Sequence, residues 1–183
     1  MTDTRATRRL NWGCGTYPEA GWINSDRKAG PGVDLSCDIR DGLPLEDGSI
    51  DYAVSIHALP EVPYPEQVPV LRELRRVLRP AGVLRLGLPN LENAIDAYRR
   101  NDRDYFLIPD DEMSSIGGKL VAQLVWYGYS RTVFVPQFAE ELLKKAGFTA
   151  VHHLTFGETR SGYPDIVALD NRPEESFFVE AVR

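Results

Sequence analysis

Cysteine is scarce in this chain: there are two, Cys14 and Cys37, in 183 residues, and no CxxC. That rules out a disulfide framework and thiolate zinc clusters, and makes a reducing, cytoplasmic setting the expectation. Histidine is nearly as rare, with His57, His152 and His153. The last two are neighbours in a strand-like run, so they face opposite sides of a sheet and cannot share an ion. No metal site is expected. No apolar run approaches the roughly 20 residues that a membrane span needs. The start, MTDTRATRR, is polar, is expected to fray, and is not signal-like. Positive charge is in deficit as well: 21 Lys and Arg stand against 27 Asp and Glu, a net charge of −6. A general nucleic-acid binder needs clustered cations to neutralise phosphates, so neither nucleic acid nor a membrane is expected as a partner. No repeat or low-complexity tract interrupts the chain, and its length suits one domain over 1–183.

What is present is an ordinary globular composition, 43% hydrophobic, organised around Arg8–Asp26, RRLNWGCGTYPEAGWINSD. Leu10 and Trp12 alternate with polar neighbours as a short buried strand. Gly13-Cys14-Gly15 follows, backbone that a ligand can approach closely. Trp22–Ser25 is a second strand that delivers Asp26, whose carboxylate suits the two hydroxyls of a ribose. A tight turn with a solvated Asp is the plainer reading of the same residues. A dinucleotide site needs a helix opening at the third glycine to hold the pyrophosphate. Pro18 stands there, and the run to the next strand leaves little room for a helix. A ligand with ribose and adenine but no phosphate fits better, which points to S-adenosylmethionine. Cys14 reads as a small residue beside the loop rather than a nucleophile.

Val33-Asp34-Leu35 is a third short strand, and Asp38 lies just past it. Asp38 suits either an adenine amino group or a helix or turn cap. Ile50–Ile56, IDYAVSI, is a central strand with His57 at its C-terminal end, where open α/β sheets bind ligands. An ordinary pKa near neutrality makes His57 the candidate general base; a capping or partly buried histidine is the alternative. Pro65–Arg79 is a helix with Val68, Leu71, Leu74, Val77 and Leu78 on one face, stopped by Pro80-Ala81-Gly82. Its arginines, Arg72, Arg75, Arg76 and Arg79, read as a solvated face before an anion site. Val83–Leu88 is another strand and Leu91–Arg100 a helix. Residues 101–131 break the alternation: a helix near Ser115–Trp126 and the aromatics Tyr105, Phe106, Tyr127 and Tyr129 form an insert, for packing or as a lid. Phe138–Ala146 is a helix with Gly147 as its C-cap, and Phe148–Phe156 and Phe177–Val182 close the sheet as an antiparallel pair.

Alternating strands and helices imply a mostly parallel α/β sheet. In LNWGCG (Leu10–Gly15), GWINSD (Gly21–Asp26), CDIRDGLPLEDGSIDYAVSIHAL (Cys37–Leu59), LRELRRVLRPAGVLRLGLPN (Leu71–Asn90), ELLKKAGF (Glu141–Phe148) and ALDNRPEESFFVEAV (Ala168–Val182), the chain resembles class I S-adenosylmethionine-dependent methyltransferases. It is most similar to the small bacterial branch of predicted methyltransferases related to type 11. The resemblance implies a Rossmann-like, seven-stranded sheet in the order 3-2-1-4-5-7-6, the last strand antiparallel, flanked by helices and with a shortened first helix. It implies Gly13 and Gly15, with Cys14 between them, under the methionine end of the cofactor. It places Asp26 at the ribose, Asp38 and Ile39 at the adenine, and His57 facing the methionine or the acceptor. Asn11 stands where an acid usually precedes the loop, which weakens one contact toward the methionine amino end. Leu59-Pro60-Glu61 replaces the usual Leu-Glu-His, so a paired-histidine or metal-assisted mechanism is not expected.

The expected activity is methyl transfer from S-adenosylmethionine to an oxygen or nitrogen of a small polar metabolite or glycan unit. His57-Ala58-Leu59-Pro60 stands where amino methylation of nucleobases would show Asn-Pro-Pro-Tyr, which argues against that class. Two other classes stay open. One is a non-catalytic methyltransferase-fold subunit that binds a partner through 101–131. The other is a nicotinamide dehydrogenase, against which the missing pyrophosphate helix counts. The missing terminal helices are compatible with a homodimer in which one subunit covers the other's pocket.

Overall fold

A computed structural model describes residues 6–183. Positions 1–5 of the polar start lie outside the described residues, whereas Arg9 already opens the first strand. Seven strands form one sheet: β1 (Arg9–Trp12), β2 (Ile23–Asp26), β3 (Leu35–Ser36), β4 (Ile50–Ile56), β5 (Leu78–Pro89), β6 (Ala150–Leu154) and β7 (Ser176–Val182). Their spatial order is β3-β2-β1-β4-β5-β7-β6. β1 to β5 pair in parallel, and β7 runs antiparallel to both β5 and β6. The order and sense are those the resemblance implies. The helices among the described residues are α1 (Gln67–Val77), α2 (Leu91–Arg100), α3 (Ile116–Val125) and α4 (Pro136–Ala146), and none lies between β1 and β2.

β4, β5 and β7 are buried on both faces, which is why they read as nearly continuous apolar runs. One face is covered by α1 and α4. α1 turns Val70, Leu71, Leu74 and Val77 inward, and α4 turns Ala139, Leu142, Leu143 and Ala146, onto Leu84, Leu86, Leu88 and Val179. On the other face Tyr163, Ile166, Val167 and Leu169, around a 3-10 turn at Pro164–Val167, pack on Trp22, Tyr52, Val54 and Val83. This irregular segment fills a side that the shortened β1–β2 connection leaves bare.

A buried ion cluster fastens that segment. Arg85 of β5 and Glu180 of β7 are cross-strand partners on this face. The Arg85 side chain is fully buried and donates to both oxygens of Asp170, at 2.7 and 2.5 Å, and to Glu180 at 3.0 Å. It also donates to the Glu158 carbonyl at 2.8 Å, while Gly157 N–H and Arg160 N–H donate to Asp170 and Glu180. The guanidinium lies over the Phe178 ring, 5.1 Å from its centroid. Every charge buried here has an opposite charge and hydrogen bonds, the condition under which buried charge is tolerated.

Several boundaries moved. Tyr64–Glu66 is a 3-10 turn, so α1 begins at Gln67 rather than Pro65, and it ends at Val77 rather than Arg79. Pro80-Ala81-Gly82 lies within the β5 run, where pairing with β4 slips between Ile50–Leu78 and Tyr52–Val83 and Ala81 takes a φ of 62°. The arginines of α1 lie on its solvent side, as expected, and tie it to its neighbours. Arg76 holds Glu73, Asp47 and the carbonyls of Leu43 and Leu45, and Arg75 and Arg72 hold the carbonyls of Gly147 and Lys145. α2 falls where its periodicity placed it, N-capped by Asn90, whose Oδ1 accepts Glu92 N–H at 3.0 Å. In the 101–131 stretch Ser115 caps α3, and Lys119 is the helix's one buried residue, its ammonium held by the Ile108 carbonyl and by Asp110.

Candidate functional site

The C-terminal ends of β1, β2 and β4 bring Gly13–Gly15, Asp26 and His57 to one rim of the sheet, the edge where open α/β folds take ligands. Asp26 is half-buried and lies in sheet register, opposite Ser36. Its Oδ2 accepts Gly15 N–H at 2.9 Å and its Oδ1 accepts Lys28 N–H at 2.9 Å. Gly13 N–H and Cys14 N–H both donate to the Ser25 carbonyl, at 2.7 and 3.1 Å, which curls the loop over the end of β2. So the acid and the glycine loop form one structure, and the carboxylate is not left in bulk solvent.

The two glycines serve different ends. Both have positive φ, 71° and 54°. A Cβ on Gly13 would sit 2.2 Å from the Ala58 Cβ, so this position is bare because Ala58 of the β4 exit lies against it. A Cβ on Gly15 would meet nothing within 4 Å. Of the pair, it is Gly15 that presents open backbone. Cys14 is buried, and burial, with Asp26 nearby, pushes its thiol above the ordinary range. Asn11 is buried in β1, where its amide donates to Asn24 at 3.0 Å and to the Tyr17 carbonyl, shaping the loop from behind.

Asp38 caps the 3-10 turn Ile39–Asp41, accepting Arg40 N–H at 3.0 Å, and takes the Arg40 guanidinium at 2.9 and 2.5 Å. That hydrogen-bonded guanidinium holds its carboxyl well below the usual range, at about 2. Ile39 is buried in the core beneath α1. Both line a groove of about 770 Å³ that runs along α1 past Glu66, Val70 and Arg76. Its lining does not include Gly13, Gly15 or Asp26.

His57 departs most from expectation. It sits in the left-handed region at φ 58°, unusual for a residue with a side chain, while its N–H continues the sheet by donating to the Gly87 carbonyl at 2.9 Å. Nε2 is 2.7 Å from Ser176 Oγ and Nδ1 is 3.3 Å from an Arg172 guanidinium nitrogen. A guanidinium only donates, so Nδ1 accepts and Nε2–H donates to Ser176. Burial, helped by the Arg172 charge, lowers the ring's pKa to about 3. Both effects disfavour the protonated ring and run against the premise of a ring titrating near neutrality, and Nδ1 faces Arg172.

This has a consequence for stability. A histidine near 6.5 when unfolded and about 3 when folded is protonated first in the unfolded chain, so stability falls as pH drops below about 6.5. Between pH 7.5 and 5.5 this one group should remove about 1.4 kcal/mol. Urea unfolding midpoints of wild type and His57→Asn at the two pH values check it; Asn tolerates a left-handed φ. The wild type should lose more than the variant by that amount, and equal losses would overturn the assignment.

Beyond His57 lies a second hollow, of about 440 Å³, lined by Asp102, Asp104, Tyr105, Leu107, Arg172, Glu174 and Glu175. Arg172 stands between it and His57, with its guanidinium 5.8 Å from the centroid of the Trp126 ring. Burial, with Glu175 nearby, raises the Tyr105 phenol to about 12, and burial raises Glu175 as well. Arg172, Glu175, Ser176 and Ala58 were given no role from the sequence: they lie in stretches that carry the resemblance, but nothing in those stretches brings residues 172–176 to the end of β4. Among the described residues no group of three His, Cys, Asp or Glu could hold a metal ion, and no helix is long and apolar enough to cross a membrane.

Comparison with known proteins bears on the fold. Residues 10–86 match a family model described as a methyltransferase domain. A curated relative, an uncharacterised 37.1 kDa protein in transposon Tn4556 of Streptomyces fradiae, is 44% identical over 63 residues, 34% of this chain and 18% of its own length. The chain thus matches less than a fifth of that relative. Among solved structures, a methyltransferase from Thermotoga maritima, described as a possible histamine N-methyltransferase, superposes with a TM-score of 0.60 at 19% identity, over 97% of this chain and 83% of that one. An S-adenosylmethionine-dependent methyltransferase from Mesorhizobium loti does so with a TM-score of 0.56 at 19% identity, over 96% and 90%. A chain from the complex of a Haloferax volcanii methyltransferase activator with a methyltransferase matches with a TM-score of 0.57 at 14% identity, over 96% and 81%. At these identities the likeness carries the fold.

Proposed function

We propose that this chain, which has the class I S-adenosylmethionine-dependent methyltransferase fold and carries a methyltransferase domain over residues 10–86, methylates an oxygen or nitrogen of a small polar metabolite or glycan unit. The observation that carries the reading is the joint between Asp26 and the open backbone of Gly15. S-adenosylmethionine, the cofactor this fold serves, supplies a methyl group already made electrophilic by the sulfonium. In this reading Asp26 takes the ribose hydroxyls, and Gly13, Cys14 and Gly15 lie under the methionine end, with Asn11 behind them. Asp38 and Ile39 flank the adenine. His57 positions the rim through Arg172 and Ser176 instead of moving a proton. What the protein must add is alignment and exclusion of water.

Calorimetric titration with S-adenosylhomocysteine tests it. Wild type should bind, and Asp26→Ala should raise Kd at least tenfold with little change in fold, as judged by circular dichroism. A wild-type chain that gives neither heat nor a thermal shift would favour the alternative, a non-catalytic subunit of the same fold. Exposed apolar residues along 121–129, Val121, Val125, Tyr127 and Tyr129, support that second reading as a partner surface.

A further inference from the structure

We propose that the hollow beyond His57 is the acceptor pocket and that it takes a cationic amine; this rests on the methyl-transfer reading of the neighbouring rim. Position comes first. Ala58 lies against Gly13 at the rim, and His57, the preceding residue, contacts Arg172, which lines the hollow. Through Ala58, His57 and Arg172 the hollow thus adjoins the rim. At about 440 Å³ the hollow falls within the ~300–1,000 Å³ typical of small-molecule sites.

Charge gives the class of occupant. Four carboxylates, Asp102, Asp104, Glu174 and Glu175, line the hollow against the single cation Arg172. Asp102 has Arg100 at 3.6 Å, while Asp104 and Glu174 have no ion pair among the described residues. Glu175 is the telling one. It is only 9% exposed, its Oε1 faces Arg172 at 3.3 Å, and its Oε2 accepts no hydrogen bond among the described residues. Arg172 is shared between this carboxylate, His57 and the Trp126 ring. Glu175 keeps one oxygen accessible at the wall of the hollow while its one counter-ion is divided, so a further cation there adds to its pairing. The ring of Tyr105 adds a face that favours a cation, and Leu107 gives the organic part an apolar contact. Anionic metabolites are repelled from such a pocket, and a neutral alcohol draws nothing from its field.

In turnover the ammonium first gives its proton to water. The freed nitrogen lone pair then forms the N–C bond as the methyl's bond to sulfur breaks, its electron pair staying on sulfur. His57 is not needed as a base in this scheme, in keeping with its contact with Arg172.

The test uses the full chain, labelled with 15N, and three probes of one shape: benzylammonium, benzyl alcohol and benzoate. Amide shifts are followed with and without S-adenosylhomocysteine. Benzylammonium should bind at least tenfold more tightly than either of the others and shift residues 102–107 and 172–175. Glu175→Gln, and separately the exposed pair Asp104→Asn with Glu174→Gln, should weaken it severalfold while S-adenosylhomocysteine affinity stays unchanged. Equal binding of the three probes, shifts located elsewhere, or indifference to both variants would overturn the inference. Binding of S-adenosylhomocysteine without selectivity for the amine removes this inference alone. Amine binding without S-adenosylhomocysteine keeps the cation site and removes the methyl-transfer reading.

Discussion

Arg85→Ala is expected to destabilise the protein by about 3–5 kcal/mol, the range found when one partner of a buried ion pair is removed. Asp170 and Glu180, whose side chains are each 1% exposed, would keep their backbone donors but lose the cation between them. The least costly response is for residues 155–170 to lift off the sheet and hydrate both acids. That uncovers Tyr52, Val54 and Val83, so the loss spreads into the core of that face. Arg85→Lys should recover little, because a single ammonium cannot span Asp170 with two bonds and still reach Glu180. The triple variant Arg85→Met, Asp170→Asn, Glu180→Gln should recover much of it, since no unpaired charge is then buried. Urea unfolding of the four proteins, with limited proteolysis mapped to 155–170, checks the prediction. Wild-type-like unfolding of Arg85→Ala would show that the cluster is passive.

The same cluster shows what could and could not be read from residues alone. VLRLGL and SFFVEAV were legible as strands by their apolar content. The Arg and Glu within them are a signal of their own, because an unpaired charge in a central strand is prohibitively costly. Their register across β5 and β7, however, and the arrival of Asp170 from a segment without periodicity, are tertiary facts. α2 and α4 were legible because their inward faces repeat every three to four residues. The start of β5 was not, since Pro80-Ala81-Gly82 looks like a helix stop whether or not a strand continues across it. At the site, Gly13, Gly15 and Asp26 converge as their spacing suggested. His57 came to the rim, where burial and Arg172 lower its pKa, neither of which local sequence encodes.

The two glycines of the loop give the second large effect, and they should separate stability from binding. Gly13→Ala and Gly15→Ala each force a side chain into a left-handed backbone, at a cost of about 1–2 kcal/mol. For Gly15 that is the whole structural cost, because its new methyl enters open space. For Gly13 the methyl would sit 2.2 Å from the Ala58 Cβ, and neither carbon can rotate aside. Overpacking of this kind adds about 1–3 kcal/mol, and it pushes the β4 exit, hence His57 and Arg172, away from the rim. Gly13→Ala should therefore lower the unfolding midpoint markedly, and adding Ala58→Gly should restore the part of the loss due to the clash while the left-handed strain remains. Gly15→Ala should lower it less, by the left-handed strain alone, yet weaken S-adenosylhomocysteine binding at least tenfold if the proposed seat of the ligand's amino-acid end on this backbone is right. Partial rescue of Gly13→Ala by Ala58→Gly, together with a more stable but poorly binding Gly15→Ala, is the joint result expected. A Gly15→Ala protein that binds as well as wild type would mean that the ligand does not rest on this loop.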